Sequence, residues 1–195
     1  MSANSSSIEQ YLRPGRRAHL VGIGGVSMRP LGLVLRSMGM EITGSDMNAS
    51  VATEELQRSG ITVYIGHREE NIEGADCVIR TAAAHNDNPE IAAARAAGIP
   101  IFERAQAWGY LMRSYKNAVC VAGTHGKTTT TSMLTHIFMQ AQRDPTVMIG
   151  GSLPLLGAGH RVGRGDTIIL ESCEYCNSFL NFFPTAAVIL DVDAD

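Results

Sequence analysis

Val119-Cys-Val-Ala-Gly-Thr-His-Gly-Lys-Thr-Thr-Thr-Thr131 runs from an apolar stretch through a glycine turn into a polar, threonine-rich one. Four apolar residues in a row read as a buried strand, and the segment after Gly126 reads as the start of a helix. A strand, a glycine turn and a helix in that order make a phosphate loop. The glycines let successive backbone N–H groups point inward, and the helix N-terminus adds its positive dipole. Lys127 supplies a point charge for the β- and γ-phosphates, and Thr128 a hydroxyl for a magnesium ion. The long form of the pattern would place a glycine at position 121, where Val121 stands, so the match is to the compact Gly-Thr-x-Gly-Lys-Thr form. The residues expected around ATP are therefore Gly123, Thr124, His125, Gly126, Lys127, Thr128 and Thr129. His125 is given no chemistry of its own.

A phosphate loop needs an acidic partner at the end of a later strand. Asp166-Thr-Ile-Ile-Leu-Glu171 supplies one, an apolar run closing on a carboxylate, with Glu174 three residues on. Glu171 and Thr128 are the expected magnesium ligands. Asp191, Asp193 and Asp195 gather after the following strand, and for these a metal role and a solvated loop stand level.

Upstream, Leu20-Val-Gly-Ile-Gly-Gly-Val-Ser-Met28 repeats the arrangement of strand, glycine turn and helix. Gly22-x-Gly24 opens a dinucleotide fingerprint whose third glycine position is Ser27, and Asp46 lies where an acid would meet a ribose hydroxyl. This reads as a turn that holds a diphosphate, with a purely structural turn as the alternative.

Between the two turns, short β runs alternate with helical segments: strands at 18–23, 40–43, 61–64, 77–80 and 99–102, helices at 28–38, 51–59 and 88–97. Such alternation predicts a parallel, doubly wound sheet with its ligand loops along one edge. A connecting helix over 104–113 leads to a second series: a strand at 117–122, a helix at 127–142, a strand at 146–149, a glycine-rich loop over 150–165, and strands at 167–171 and 186–192. The expected organisation is α/β throughout, a Rossmann-like parallel-sheet domain over 15–114, then an incomplete phosphate-loop ATPase domain over 115–195.

Composition fits this picture. Hydrophobic residues make up 45% and charged residues 18%, the balance of a folded globular chain. A net charge of −3 gives no basic stripe for nucleic acid, and no apolar run is long enough to insert in a membrane. The polar first residues lack the apolar core of a secretory signal, which with unpaired cysteines points to the cytoplasm. Cys77 and Cys120 lie in apolar runs and read as small core residues. Cys173-x-x-Cys176 has no second pair to complete a zinc site and reads as two reduced thiols.

Five segments together resemble the Mur ligases: His19-Leu-Val-Gly-Ile-Gly-Gly25, Gly44-Ser-Asp46, Asp87-Asn-Pro-Glu90, Ala122-Gly-Thr-His-Gly-Lys-Thr-Thr-Thr-Thr131 and Asn177-Ser-Phe-Leu180. The resemblance runs from His19 to Asp195 and is strongest to the branch that joins L-alanine to UDP-N-acetylmuramate. It implies that Gly22, Gly24 and Gly25 hold the UDP diphosphate, that Asp46 and His67 contact the uridine side, and that Lys127, Thr128 and Glu171 serve ATP and magnesium. The implied reaction is ATP-dependent amide formation through an acyl phosphate of the lactyl carboxylate. The chain departs from the family where Glu171-Ser-Cys-Glu-Tyr-Cys176 replaces a more acidic stretch. The family's metal-binding histidine and amino-acid domain would follow Asp195, so the resemblance implies an amino-terminal fragment that is inactive alone. A peptide-recycling ligase, a non-catalytic nucleotide-binding module and an oxidoreductase built on Gly22-x-Gly24 are the alternatives.

Overall fold

The computed structural model describes residues 7–172 and 175–193, and of residues 175–177 the backbone only. The chain divides into two compact units, 1–107 and 108–195. The division falls within the connecting helix rather than at its far end near 114.

The first unit is built as strand and helix in alternation. β1 (Arg17–Val21), β2 (Glu41–Asp46), β3 (Thr62–Ile65), β4 (Cys77–Arg80) and β5 (Ile101–Glu103) form one sheet in the order β3-β2-β1-β4-β5. Every pairing is parallel. The chain winds outward from β1 to β3, then crosses back to β4 on the other side of β1. Loops leaving β1 and β4 therefore diverge, and that gap at the carboxyl ends is where a doubly wound sheet binds ligands. Helices α1 (Met28–Ser37), α2 (Val51–Arg58) and α3 (Pro89–Ala96) connect the strands. Two of these starts have a plain local cause: Ser50 caps α2 by accepting from the Thr53 amide, and Asn88 caps α3 through the Glu90 and Ile91 amides with Pro89 at the first helical position. The α3 side of the sheet buries Val21, Val78, Ile91 and Ala94 in one cluster.

Gly44 shows how tightly β2 meets the turn after β1. A Cβ there would stand 2.7 Å from the Leu20 carbonyl oxygen and 2.5 Å from Ile23 Cδ1. Because the carbonyl belongs to the neighbouring strand and cannot rotate away, Gly44→Ala is expected to destabilise this unit by about 1–3 kcal/mol. Urea unfolding followed by circular dichroism reads the loss, and an unchanged midpoint would refute it.

Helix α4 (Arg104–Met112) leads into the second unit. There β6 (Asn117–Ala122), β7 (Thr146–Leu153), β8 (Ala158–Arg161), β9 (Thr167–Glu171) and β10 (Ala186–Ile189) form a sheet in the order β10-β6-β9-β7-β8, and α5 (Lys127–Gln140) follows the glycine turn after β6. The pairings are parallel except that β8 runs antiparallel to β7. This corrects the loop expected over 150–165: β7 continues through Gly150 and Gly151 to Leu153, and β8 folds back on it. The last strand also ends earlier than expected, at Ile189. Leu134 and Phe138 of α5 pack on a buried cluster of Val119, Val147, Ile149 and Ile169. β10 lies at the sheet edge with Ile189 68% exposed, an apolar edge that no described element covers.

Cys77 and Cys120 are buried free thiols, and burial pushes each up to about 12, so both are inert core residues at neutral pH. Cys173, Glu174 and Asp195, and the side chains of Cys176 and Asn177, lie outside the described residues. Among the described residues no helix is long and apolar enough to cross a membrane.

Candidate functional site

In the second unit the chain leaves β6 at Ala122, turns at Gly123 and enters α5 through Gly126. Gly126 takes a left-handed φ of 79°, which an L side chain adopts only with strain. The four threonines that follow are poor helix formers by propensity. Two of the hydroxyls along this face turn back on the helix instead: Thr131 donates to the Lys127 carbonyl and Thr135 to that of Thr131. Lys127 extends over the loop, its Nζ donating to the Gly123 carbonyl at 2.5 Å and to that of Thr124 at 3.2 Å. Its charge is thereby held at the loop itself.

Strand β9 pairs directly with β6, setting Glu171 opposite Val121 and beside the loop. The Thr128 hydroxyl lies 3.0 and 3.1 Å from the two Glu171 carboxylate oxygens, and the Gly150 amide donates to Glu171 Oε2 at 2.8 Å. The two residues singled out as magnesium ligands, 43 positions apart, are thus in contact. Their hydroxyl and carboxylate oxygens are the hard donor set that magnesium prefers. On the other side of β6, the segment after β10 folds over the loop. Asp191 Oδ1 accepts from the His125 amide at 2.9 Å, and the Asp193 amide donates to Thr124 Oγ1 at 3.2 Å. One potential ligand atom from each of His125, Asp191 and Asp193 falls within 4.8 Å of the others. Asp191 and Asp193 therefore belong to the loop's surroundings, tied to it through backbone amides.

In the first unit, an open cleft of about 850 Å³ lies at the carboxyl ends of β1, β2 and β4. Gly22, Gly25, Asp46 and His67 line it, four of the five residues named from sequence. Gly22 is held at φ 80°, and a Cβ there would meet Thr81 Cγ2 at 2.7 Å, so a side chain at this position would be strained and would crowd Thr81. Asp46 accepts from the Gly24 amide at 2.9 Å, which braces the glycine turn from the end of β2. Arg104 reaches the same turn, donating to Ser27 Oγ at 2.5 Å, and Ser27 is the N-cap of α1. Sequence reading missed Thr81, Ala83, Ala84 and His85 of the far wall, and quoted Asp87, Asn88 and Pro89 only within Asp87-Asn-Pro-Glu90, with no place in the site. The signal was available in principle, because the segment follows β4 at the point where strand order reverses.

His67 connects the cleft to the interior. Its Nδ1 lies 3.0 Å from both Ser45 Oγ and Glu90 Oε2. Glu90 is fully buried and takes further hydrogen bonds from Ser45 Oγ at 2.6 Å and Asn71 Nδ2 at 2.6 Å. Burial pushes its carboxyl up, but His19, Ser45 and Asn71 reverse this and hold it at about 2. The His19 ring stands 3.6 Å away, beyond hydrogen-bond length, so the bonds from Ser45 and Asn71 carry most of the weight.

Comparison with known proteins adds a family to this geometry. Residues 17–116 match the Mur ligase family, catalytic domain. The chain is 48% identical over 180 residues to a UDP-N-acetylmuramate--L-alanine ligase of Clostridium botulinum, covering 92% of this chain and 39% of the relative. The corresponding ligase of Acetivibrio thermocellus is 46% identical over 180 residues, with 92% and 38% covered. The chain thus spans about two fifths of the length of the curated relatives it matches. Among solved structures, the UDP-N-acetylmuramate-alanine ligase of Thermotoga maritima is similar with a TM-score of 0.81 and 34% identity, over 89% of this chain and 40% of that one. The UDP-N-acetylmuramate:L-alanyl-gamma-D-glutamyl-meso-diaminopimelate ligase of Neisseria meningitides gives a TM-score of 0.84 at 26% identity, over 92% and 61%.

Proposed function

The chain belongs to the Mur ligase family, and we propose that its 195 residues are the nucleotide-holding part of a ligase that joins L-alanine to UDP-N-acetylmuramate in cytoplasmic peptidoglycan precursor synthesis. The observation that carries this reading is the Thr128–Glu171 contact at the mouth of a Gly-Lys-Thr loop, in a chain 48% identical to such ligases. Identity favours L-alanine over a recycled tripeptide, 34% against 26% for the two solved ligases.

In this reading the cleft at Gly22, Gly24, Gly25, Asp46 and His67 takes the UDP moiety, and the loop from Gly123 to Thr129 takes ATP. Lys127 spreads the negative charge that builds on the transferred phosphoryl group, and the loop amides cradle the rest. Thr128 and Glu171 would hold magnesium, which when bound supplies further charge neutralisation. The lactyl carboxylate of the sugar would attack the γ-phosphorus of ATP and release ADP. The amine of L-alanine would then attack the acyl carbon of the resulting acyl phosphate, expelling inorganic phosphate and giving up a proton as the amide forms. Because the chain covers about two fifths of its relatives, the complete reaction is proposed for the ligase these residues resemble. Two nucleotide sites are what is proposed for the chain itself.

Calorimetry with a non-hydrolysable ATP analogue, with and without magnesium, tests the second site. Glu171→Gln keeps the size of the side chain and a hydrogen bond with Thr128 but removes the charge. It should abolish most of the magnesium-dependent gain in affinity, about tenfold, and leave magnesium-free binding in place. Equal magnesium dependence in both proteins would remove Glu171 from the metal site.

A further inference from the structure

We propose that Glu90 is a positioning residue for the cleft: its buried carboxylate fixes the His67 ring with Nδ1–H turned inward, so that Nε2 faces the cleft as a hydrogen-bond acceptor. The inference rests on the cleft being a nucleotide site only for the identity of the ligand. The ring geometry stands without it.

Hydrogen counting carries the argument. The Ser45 hydroxyl has one proton, and its 2.6 Å contact with Glu90 Oε2 uses it. His67 Nδ1 then faces only oxygen lone pairs, Glu90 Oε2 and Ser45 Oγ, each at 3.0 Å. An unprotonated nitrogen there would set lone pair against lone pair beside a carboxylate that is fully buried and held ionised. Nδ1 must bring the proton. A neutral imidazole protonated at Nδ1 has its lone pair at Nε2, on the opposite edge of the ring. His67 lines the cleft and keeps 14% of its side chain exposed, so that edge is the one a ligand meets.

The surroundings suit positioning. Glu90 lies in the first turn of α3, where the helix dipole favours a negative charge, and the Asn88 cap and Pro89 fix that turn. Asn71 donates to Glu90 Oε1 and also to the Gly66 carbonyl at 3.1 Å, pinning the backbone next to His67. His19 of β1 approaches from beneath, its Nδ1 2.9 Å from Thr43 Oγ1 and its Nε2 3.6 Å from Glu90 Oε1. Residues from β1, β2, the segment after β3 and α3 thus converge on one carboxylate, and His67 is the arm that carries this cluster to the cleft. An accepting Nε2 selects a donor on the ligand, a ribose hydroxyl or the imide N–H of uracil, and not a phosphate oxygen.

Two measurements on the full chain test this. Long-range proton–nitrogen spectra of histidine-labelled, ligand-free protein at about pH 8, above the usual histidine range, should show His67 as the Nδ1–H tautomer, and Glu90→Gln should convert it to a mixture. Calorimetry with UDP should show Glu90→Gln and His67→Ala each weakening binding about tenfold, with the double variant no weaker than His67→Ala alone. A protonated Nε2 in the wild-type spectrum overturns the proposal, whether or not Glu90→Gln folds. So do losses that multiply in the double variant. If the tautomer is as expected and UDP does not bind the wild type, the nucleotide reading of the cleft fails and the Glu90–His67 arrangement stands.

Discussion

Lys127→Ala is expected to weaken ATP binding on the order of 100-fold while leaving UDP binding unchanged. The ammonium group lies on the loop and bonds the Gly123 and Thr124 carbonyls, so its removal takes away both the cation that would face the phosphates and a brace of the loop. A hydrogen bond to a charged group contributes about 1.5–3 kcal/mol, and losing one near the upper end gives the stated factor. Lys127→Arg should recover little, since a planar guanidinium does not fit a site shaped for a compact point charge. The cleft at Gly22, Asp46 and His67 belongs to the other compact unit. Paired titrations of the two nucleotides into the same folded variant decide the matter. Loss of both together would mean that one site had been mistaken for two.

The strand, turn and helix around Gly126 were legible in the sequence because an apolar run, a glycine that can be left-handed and a polar run that starts a helix stand there in order. The position of Glu171 beside Thr128 followed because a carboxylate closing an apolar run marks the carboxyl end of a buried strand. Gly150–Gly165 misled for a physical reason. Glycine was read as a mark of an irregular loop, whereas here it lets strands approach closely: a Cβ on Gly159 would strike the Gly151 carbonyl oxygen across the β7–β8 pair. Glu90 was named only within the Asp87-Asn-Pro-Glu90 motif, with no role of its own, since an acid in the first turn of a helix normally faces solvent. Its partners His19, Ser45, His67 and Asn71 are all distant in the chain, the nearest 19 positions away, and no local pattern links them. The division within α4 was equally hidden, because a continuous helix carries no mark of where one unit ends and the next begins.

Glu90 also sets the expected response of the first unit to acid. Its folded-state pKa, about 2, lies below the ordinary 4.5, so the folded protein holds the ionised form more tightly than the unfolded chain does. The stabilisation is therefore complete above the unfolded value and drains away as pH falls from 4.5 toward 2. That gap corresponds to about 3 kcal/mol, since each pKa unit is worth about 1.4. Asp76 acts in the same direction, lowered by the Arg17 amide and by Arg16, so the wild-type slope contains more than one group. The Glu90→Gln variant separates them. It should be less stable than wild type at about pH 6, because an amide cannot accept from Ser45, His67 and Asn71 as a carboxylate does. Between about pH 4.5 and 3 it should lose stability more slowly with falling pH, by up to about 1.4 kcal/mol per pH unit. Urea titrations at closely spaced pH values, with β1 amide exchange to report on this unit, measure both slopes. Parallel curves for the two proteins would show that the folded carboxylate takes up its proton over the same range as the unfolded one, and the lowered pKa assigned to Glu90 would have to be abandoned.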